Sequence, residues 1–120
     1  MHTRFAVLLV LAACDPAKKD CEHARDVMAG EWDRRAKEAI ATVPASDRGK
    51  LEQQAAKESE QLRKSFVEVC VAQPEATRAC VAKIDELLKQ EQARKPGDAK
   101  AAGECEAPMA ALMEALQAKL

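Results

Sequence analysis

Apolar residues recur every three or four positions along most of the chain. In the segment 17–42 they fall at Ala17, Cys21, Ala24, Met28, Trp32, Ala36 and Ala39, with Val43 just beyond. That spacing is the stripe of an amphipathic helix. Pro44 ends it, because proline disfavours helical geometry in the residue before it. Ser46 or Asp47 then offers an N-cap for a second helix over about 47–72. Its apolar face holds Leu51, Ala55, Leu62, Phe66 and Cys70, and Gly49 weakens its first turn modestly.

Pro74 opens a third helix over about 74–94, where its missing N–H would be unpaired in any case. Ala76, Cys80, Ile84, Leu87 and Leu88 form its stripe. The stretch 95–104 carries Pro96-Gly97 and Gly103 and reads as a connector. A last, shorter helix begins at 105 or 107 and ends near 119, with Cys105, Met109, Leu112, Met113 and Leu116 on one side. Pro108 is tolerated in its first turn. The predicted fold class is therefore all-α: a small antiparallel bundle of three long helices plus a shorter C-terminal helix, one domain over 21–120.

Residues 1–13 depart from this pattern. A basic head with His2 and Arg4 precedes an unbroken apolar run from Phe5 to Ala13, the layout of an export signal. The run is well short of the ~20 residues a helix needs to cross a bilayer. At its end, Leu11-Ala12-Ala13-Cys14 resembles the bacterial lipobox. The resemblance covers about the first 14 residues. It implies that Cys14 receives a diacylglycerol on its thiol and becomes the new N-terminus, leaving 14–20 as a lipidated tether. Two or three acyl chains such as palmitate on Cys14 would give stable anchoring where one is marginal. The implied location is the cell envelope, facing the periplasm or exterior. Asp15 is the residue that favours inner-membrane retention in enterobacterial sorting, a rule that varies among bacteria, so the leaflet is left open.

Composition explains why such a domain needs covalent help. The chain is 48% hydrophobic but has only two Phe, one Trp and no Tyr. An alanine-rich interior buries little area per side chain, so the bundle is marginal on hydrophobic burial alone. Besides Cys14 there are four cysteines, Cys21, Cys70, Cys80 and Cys105, an even number in a chain bound for an oxidising compartment. Each lies on the apolar stripe of its helix, so two interior disulfides are expected. In a hairpin that turns near 44, Cys21 and Cys70 lie at nearly the same height, about 3 Å apart along the axis. A Cys70–Cys80 bridge is least favoured, given an offset of about 6 Å on axes already 8–10 Å apart. Cys80 is as level with Cys21 as Cys70 is, so two pairings stay open. Cys21 with Cys70 and Cys80 with Cys105 is adopted as the working expectation.

Charge and motifs narrow the function by exclusion. The 19 Lys and Arg nearly balance 20 Asp and Glu, for a net charge of −1 that becomes one unit more negative when Arg4 leaves with the signal. Nucleic-acid binding has no electrostatic basis here. There is no CxxC, and His23 is the only histidine after the signal, so no metal site is expected. His23 sits on the polar side of its helix with no nucleophile in view, so no catalytic residue is assigned. Glu31 with Arg35 and Glu60 with Lys64 have the spacing of solvated helix-face pairs. The glycines form no phosphate-binding loop, so no cofactor or small-molecule substrate is expected; Gly30 marks a kink or a close helix approach. Trp32 is placed in the core by its stripe. Lys18 and Lys19 read as solvated tether residues. The chain is thus read as a lipid-anchored envelope protein that is not an enzyme. It holds membrane lipid through Cys14 and presents helix faces to a protein partner. The alternative is a small periplasmic inhibitor or chaperone-like binder of a protein target.

Overall fold

Pro16 occupies the first position of the first helix, α1 (Pro16–Ala41), where a proline's fixed φ suits the helix and its missing N–H costs no bond. The computed structural model describes residues 16–95 and 103–119. The export signal, the lipid attachment at Cys14 and most of the 95–104 connector lie outside the described residues. Four further helices follow: α2 (Ala45–Val71), α3 (Glu75–Val81), α4 (Ile84–Ala93) and α5 (Glu106–Gln117). The described residues form an all-α, disulfide-stapled bundle, as the periodicity predicts.

The long helices α1 and α2 form an antiparallel hairpin. Pro44 is the N-cap of α2, with φ −53° and ψ 142°, and no side chain caps that end. Neither Ser46 nor Asp47 serves as the N-cap; both fall in the first turn, because the chain leaves Pro44 already in an extended conformation and turns helical at Ala45. Pro74 plays the same part before α3, as its N-cap instead of its first helical residue, so the helix begins one position later than expected, at Glu75. At the tip, Arg48 reaches back to donate from Nε to the Val43 carbonyl at 2.8 Å and from Nη2 to the Ala41 carbonyl at 3.1 Å. Carbonyls orphaned at the end of α1 thereby find donors.

The third helix is two helices. After Val81 the chain passes through Ala82 and Lys83, and the Lys83 amide bonds the Cys80 carbonyl at 3.0 Å in a tightened turn. No proline or glycine marks this point. The break places Thr77, Cys80 and Val81 of α3 and Ile84 of α4 in the interior together. Ala76, expected on the buried stripe, faces solvent, and Thr77 takes the inward place.

The core is concentrated at one end of the molecule. Phe66, Leu112, Leu116, Val81, Cys21 and Cys70 are its largest fully buried side chains. In α1 nothing is buried beyond Ala29, and in α2 nothing is buried before Ser59. The distal half of the hairpin is thus a bare two-helix arm, joined by the half-buried Ala36, Ile40, Val43, Leu51 and Ala55, and the molecule is 64 Å long. Arg63 and Asp33 bridge the two helices at the root of the arm, at 2.8 Å.

Both disulfides lie at the packed end. Cys21 joins Cys70 with Cα atoms 5.9 Å apart, and Cys80 joins Cys105 at 5.5 Å, so the working pairing is the one present. Three of these cysteines are buried; Cys105 is half-buried and stands just before α5 as its N-cap residue. No helix among the described residues is long and apolar enough to cross a membrane.

Candidate functional site

The two short helices rest on different supports. α5 packs on α2 and α3, whereas α4 leans on α1. Between them the bundle opens into a cleft of about 670 Å³. Its floor is Leu62 of α2, Ile84 of α4 and Leu116 of α5, all buried. Val27, Met28 and Trp32 of α1, Leu87 and Leu88 of α4, and Met109 and Met113 of α5 line its sides. The cleft is in the size range of a ligand or side-chain-binding pocket.

Trp32 is 40% exposed and Met113 37%, although both lie on apolar helix stripes. The expectation that Trp32 packs in the core is corrected here. The stripe of α1 is real, but it runs past Ala29, the last buried residue of the helix, so that Trp32 borders the cleft. Gly30 is likewise not a close approach: a side chain built there would meet nothing within 4 Å.

The rim of the cleft is mostly acidic. Glu31, Glu58, Glu86, Glu91, Glu104 and Glu106 line it against Arg35, Lys83 and Arg94. Among these acids Glu31 accepts from Arg35 Nε at 3.0 Å, and Glu91 from Arg94 at 3.0 Å. Glu31 also bonds Arg34 through both carboxylate oxygens, one of them with Arg34 Nε at 3.1 Å. The hydrogen bonds from Arg34 and then Arg35 hold its carboxyl down to about 2 from an ordinary 4.5. Arg34 is held charged by Glu31 first, and it also reaches Glu38 at 2.7 Å.

His23 is exposed, as its place on the polar side of α1 predicts, but it has a partner that the sequence does not reveal. Its Nε2 lies 2.7 Å from Asp85 Oδ2, which links α1 to the first turn of α4 and holds the cleft's α4 wall against α1. Glu60 and Lys64 pair at 3.1 Å as expected from their spacing. Of the residues singled out from the sequence, the four cysteines brace the cleft without lining its walls, apart from Cys105 at one edge. The cleft itself was not legible, because it depends on the break at Ala82–Lys83. Only the methionines on the last stripe hinted at an adaptable apolar surface. The chain matches no family model, and no curated protein or solved structure is significantly similar to it.

Proposed function

We propose that this protein is a lipid-anchored bacterial envelope protein that engages a protein partner through its helix faces, with the cleft as the engaging surface. The observation that carries the reading is the exposure of Trp32 and Met113, both lining one apolar cleft. Large apolar side chains gathered at an open site mark interaction surfaces, whereas isolated ones are ordinary. Tryptophan is also among the residues that dominate binding energy at such surfaces.

The tether geometry agrees with this use. Cys14 precedes α1 by a single residue besides Pro16, so a lipid there holds the start of α1 and the end of α2 toward the bilayer. The cleft begins at Val27, about 16 Å further along the helix, clear of the headgroups. The bare arm points outward.

Fractionation of the native envelope with mass spectrometry of the N-terminal peptide tests the anchor. The expected product begins at Cys14 with acyl mass attached; a chain that still begins at Met1 sinks the localisation. Photo-crosslinking from position 113, with Met113 replaced by p-benzoylphenylalanine, tests the surface. A discrete protein adduct that is lost when the same probe replaces Lys57 on the arm is the expected result.

A further inference from the structure

We infer that a second, smaller pocket, at the tether end of the bundle, binds the phosphoethanolamine headgroup of a membrane lipid. The inference rests on the anchored reading above, because the tether is what brings headgroups within reach. The pocket, of about 260 Å³, is lined by Ala17 and Asp20 of α1, by Glu75, Arg78 and Ala79 of α3, and by Ala82. It shares no lining residue with the cleft. Ala17 follows Cys14 by three residues, so the edge of the pocket lies within about 11 Å of the lipid-bearing residue.

Arg78 gives the pocket its chemistry. Its Nε is the buried side-chain polar atom that finds no hydrogen-bond partner among the described residues. A guanidinium N–H taken from water and left unpaired is costly, and an acceptor arriving from outside removes that cost. Asp20 and Glu75 line the same pocket, yet neither forms an ion pair with Arg78 or with another described residue. One cation and two carboxylates thus share a small space with their bonding capacity unused.

A phosphate diester accepts paired N–H bonds from a guanidinium, a match of geometry as well as of charge. A purely anionic ligand, however, meets Asp20 and Glu75 as like charges. A ligand with a primary ammonium a few atoms from its phosphate answers both sides, the phosphate accepting from Arg78 and the ammonium donating to the carboxylates. Phosphoethanolamine has that arrangement. Phosphocholine carries the same charges, but its quaternary nitrogen has no N–H to donate.

The test uses the disulfide-intact, lipidated protein in vesicles of phosphatidylcholine alone, or with added phosphatidylethanolamine or phosphatidylglycerol. Amide exchange across 75–82 is followed by mass spectrometry. The expected result is exchange slower by about tenfold with phosphatidylethanolamine only, the scale of one hydrogen bond to a charged group. Arg78→Gln should abolish the effect. Asp20→Asn with Glu75→Gln, both outside the buried core, should make phosphatidylglycerol as effective as phosphatidylethanolamine.

Equal exchange in the three vesicles overturns the inference. So does equal slowing by the two added lipids in the unaltered protein, or slowing that survives Arg78→Gln. Dissolved glycerophosphoethanolamine that matches the lipid at the same concentration overturns the membrane as the source of the ligand. The mass of the N-terminal peptide separates the two levels. An acylated Cys14 with a failed exchange result rejects the headgroup site alone, and a chain that begins at Met1 rejects the anchor on which it rests.

Discussion

Cys105, the residue that opens α5, has its Cα 5.5 Å from that of Cys80 in the last turn of α3, so the start of one cleft wall is fastened to the core. The placement of α5 therefore does not depend on the connector that leads to it. Leu112 and Leu116 then seat the rest of the helix. The other bridge, Cys21–Cys70, spans 49 residues and clamps the hairpin at the end opposite its turn.

The two bridges should separate on removal. Replacing Cys21 and Cys70 by serine should cost about 2–4 kcal/mol, chiefly by freeing the unfolded chain, measured by urea denaturation. Cys80→Ser with Cys105→Ser, closing a shorter span of 25 residues, should cost slightly less in the same measurement. Its distinctive mark should be faster amide exchange throughout α5. Unchanged α5 exchange would show that Leu112 and Leu116 hold the wall unaided.

Phe66 and Trp32 are predicted to behave in opposite ways. Phe66 is fully buried, so Phe66→Ala should destabilise by about 3–5 kcal/mol. Trp32→Ala, at an exposed site, should change stability by about 1 kcal/mol or less in the same urea measurement. A large loss of stability in Trp32→Ala would place that ring in the core and close the cleft.

Glu31 predicts a specific acid sensitivity. Its folded-state carboxyl is held near 2, below the ordinary 4.5, so its contribution is fully present above about 4.5 and is lost as pH falls toward 2. Chemical denaturation of the wild type and of Glu31→Gln should therefore differ at neutral pH and converge across that window. The wild type is expected to be the more stable at neutral pH. A gap that stays constant down to pH 2 would assign the stabilisation to something other than the charged pair with Arg34 and Arg35.

The bare arm should exchange its amides well before the packed end. No side chain is buried in α1 beyond Ala29 or in α2 before Ser59, so amides from 30 to 58 should open by local fraying, while those near Cys21 and Phe66 follow global unfolding. Arg48→Ala removes the donors to the Ala41 and Val43 carbonyls and should cost roughly 1 kcal/mol, seen as a further rise in exchange confined to the tip. Uniform protection along the hairpin would mean that another body covers the arm.

Much of this architecture is written locally. The stripes of α1, α2 and α5 lie where the three- and four-residue spacing puts them, because burying one face of a helix requires that spacing whatever the neighbours are. Pro44 and Pro74 punctuate the chain because a proline restricts the residue before it in any context. The level heights of Cys21 and Cys70 follow from a constant rise per residue, and the Glu31–Arg35 and Glu60–Lys64 pairs from the pitch of a single helix.

What the stripes do not carry is how far along each helix a neighbour extends. Trp32 has the periodicity of a core residue, yet it is open because the interior stops at Ala29. The turn at Ala82–Lys83 has no proline or glycine to announce it; it exists because Val81 and Ile84 must enter one core from two directions. His23 meets Asp85, and Arg48 meets the end of α1, only after the chain has folded back. The amino-acid sequence alone determined the helical stripes of α1, α2 and α5 and the thiols available to staple them, since these depend on near neighbours. The choice between two equally level disulfide pairings, and the cleft between α4 and α5, were decided by tertiary packing, because both depend on which helix rests on which.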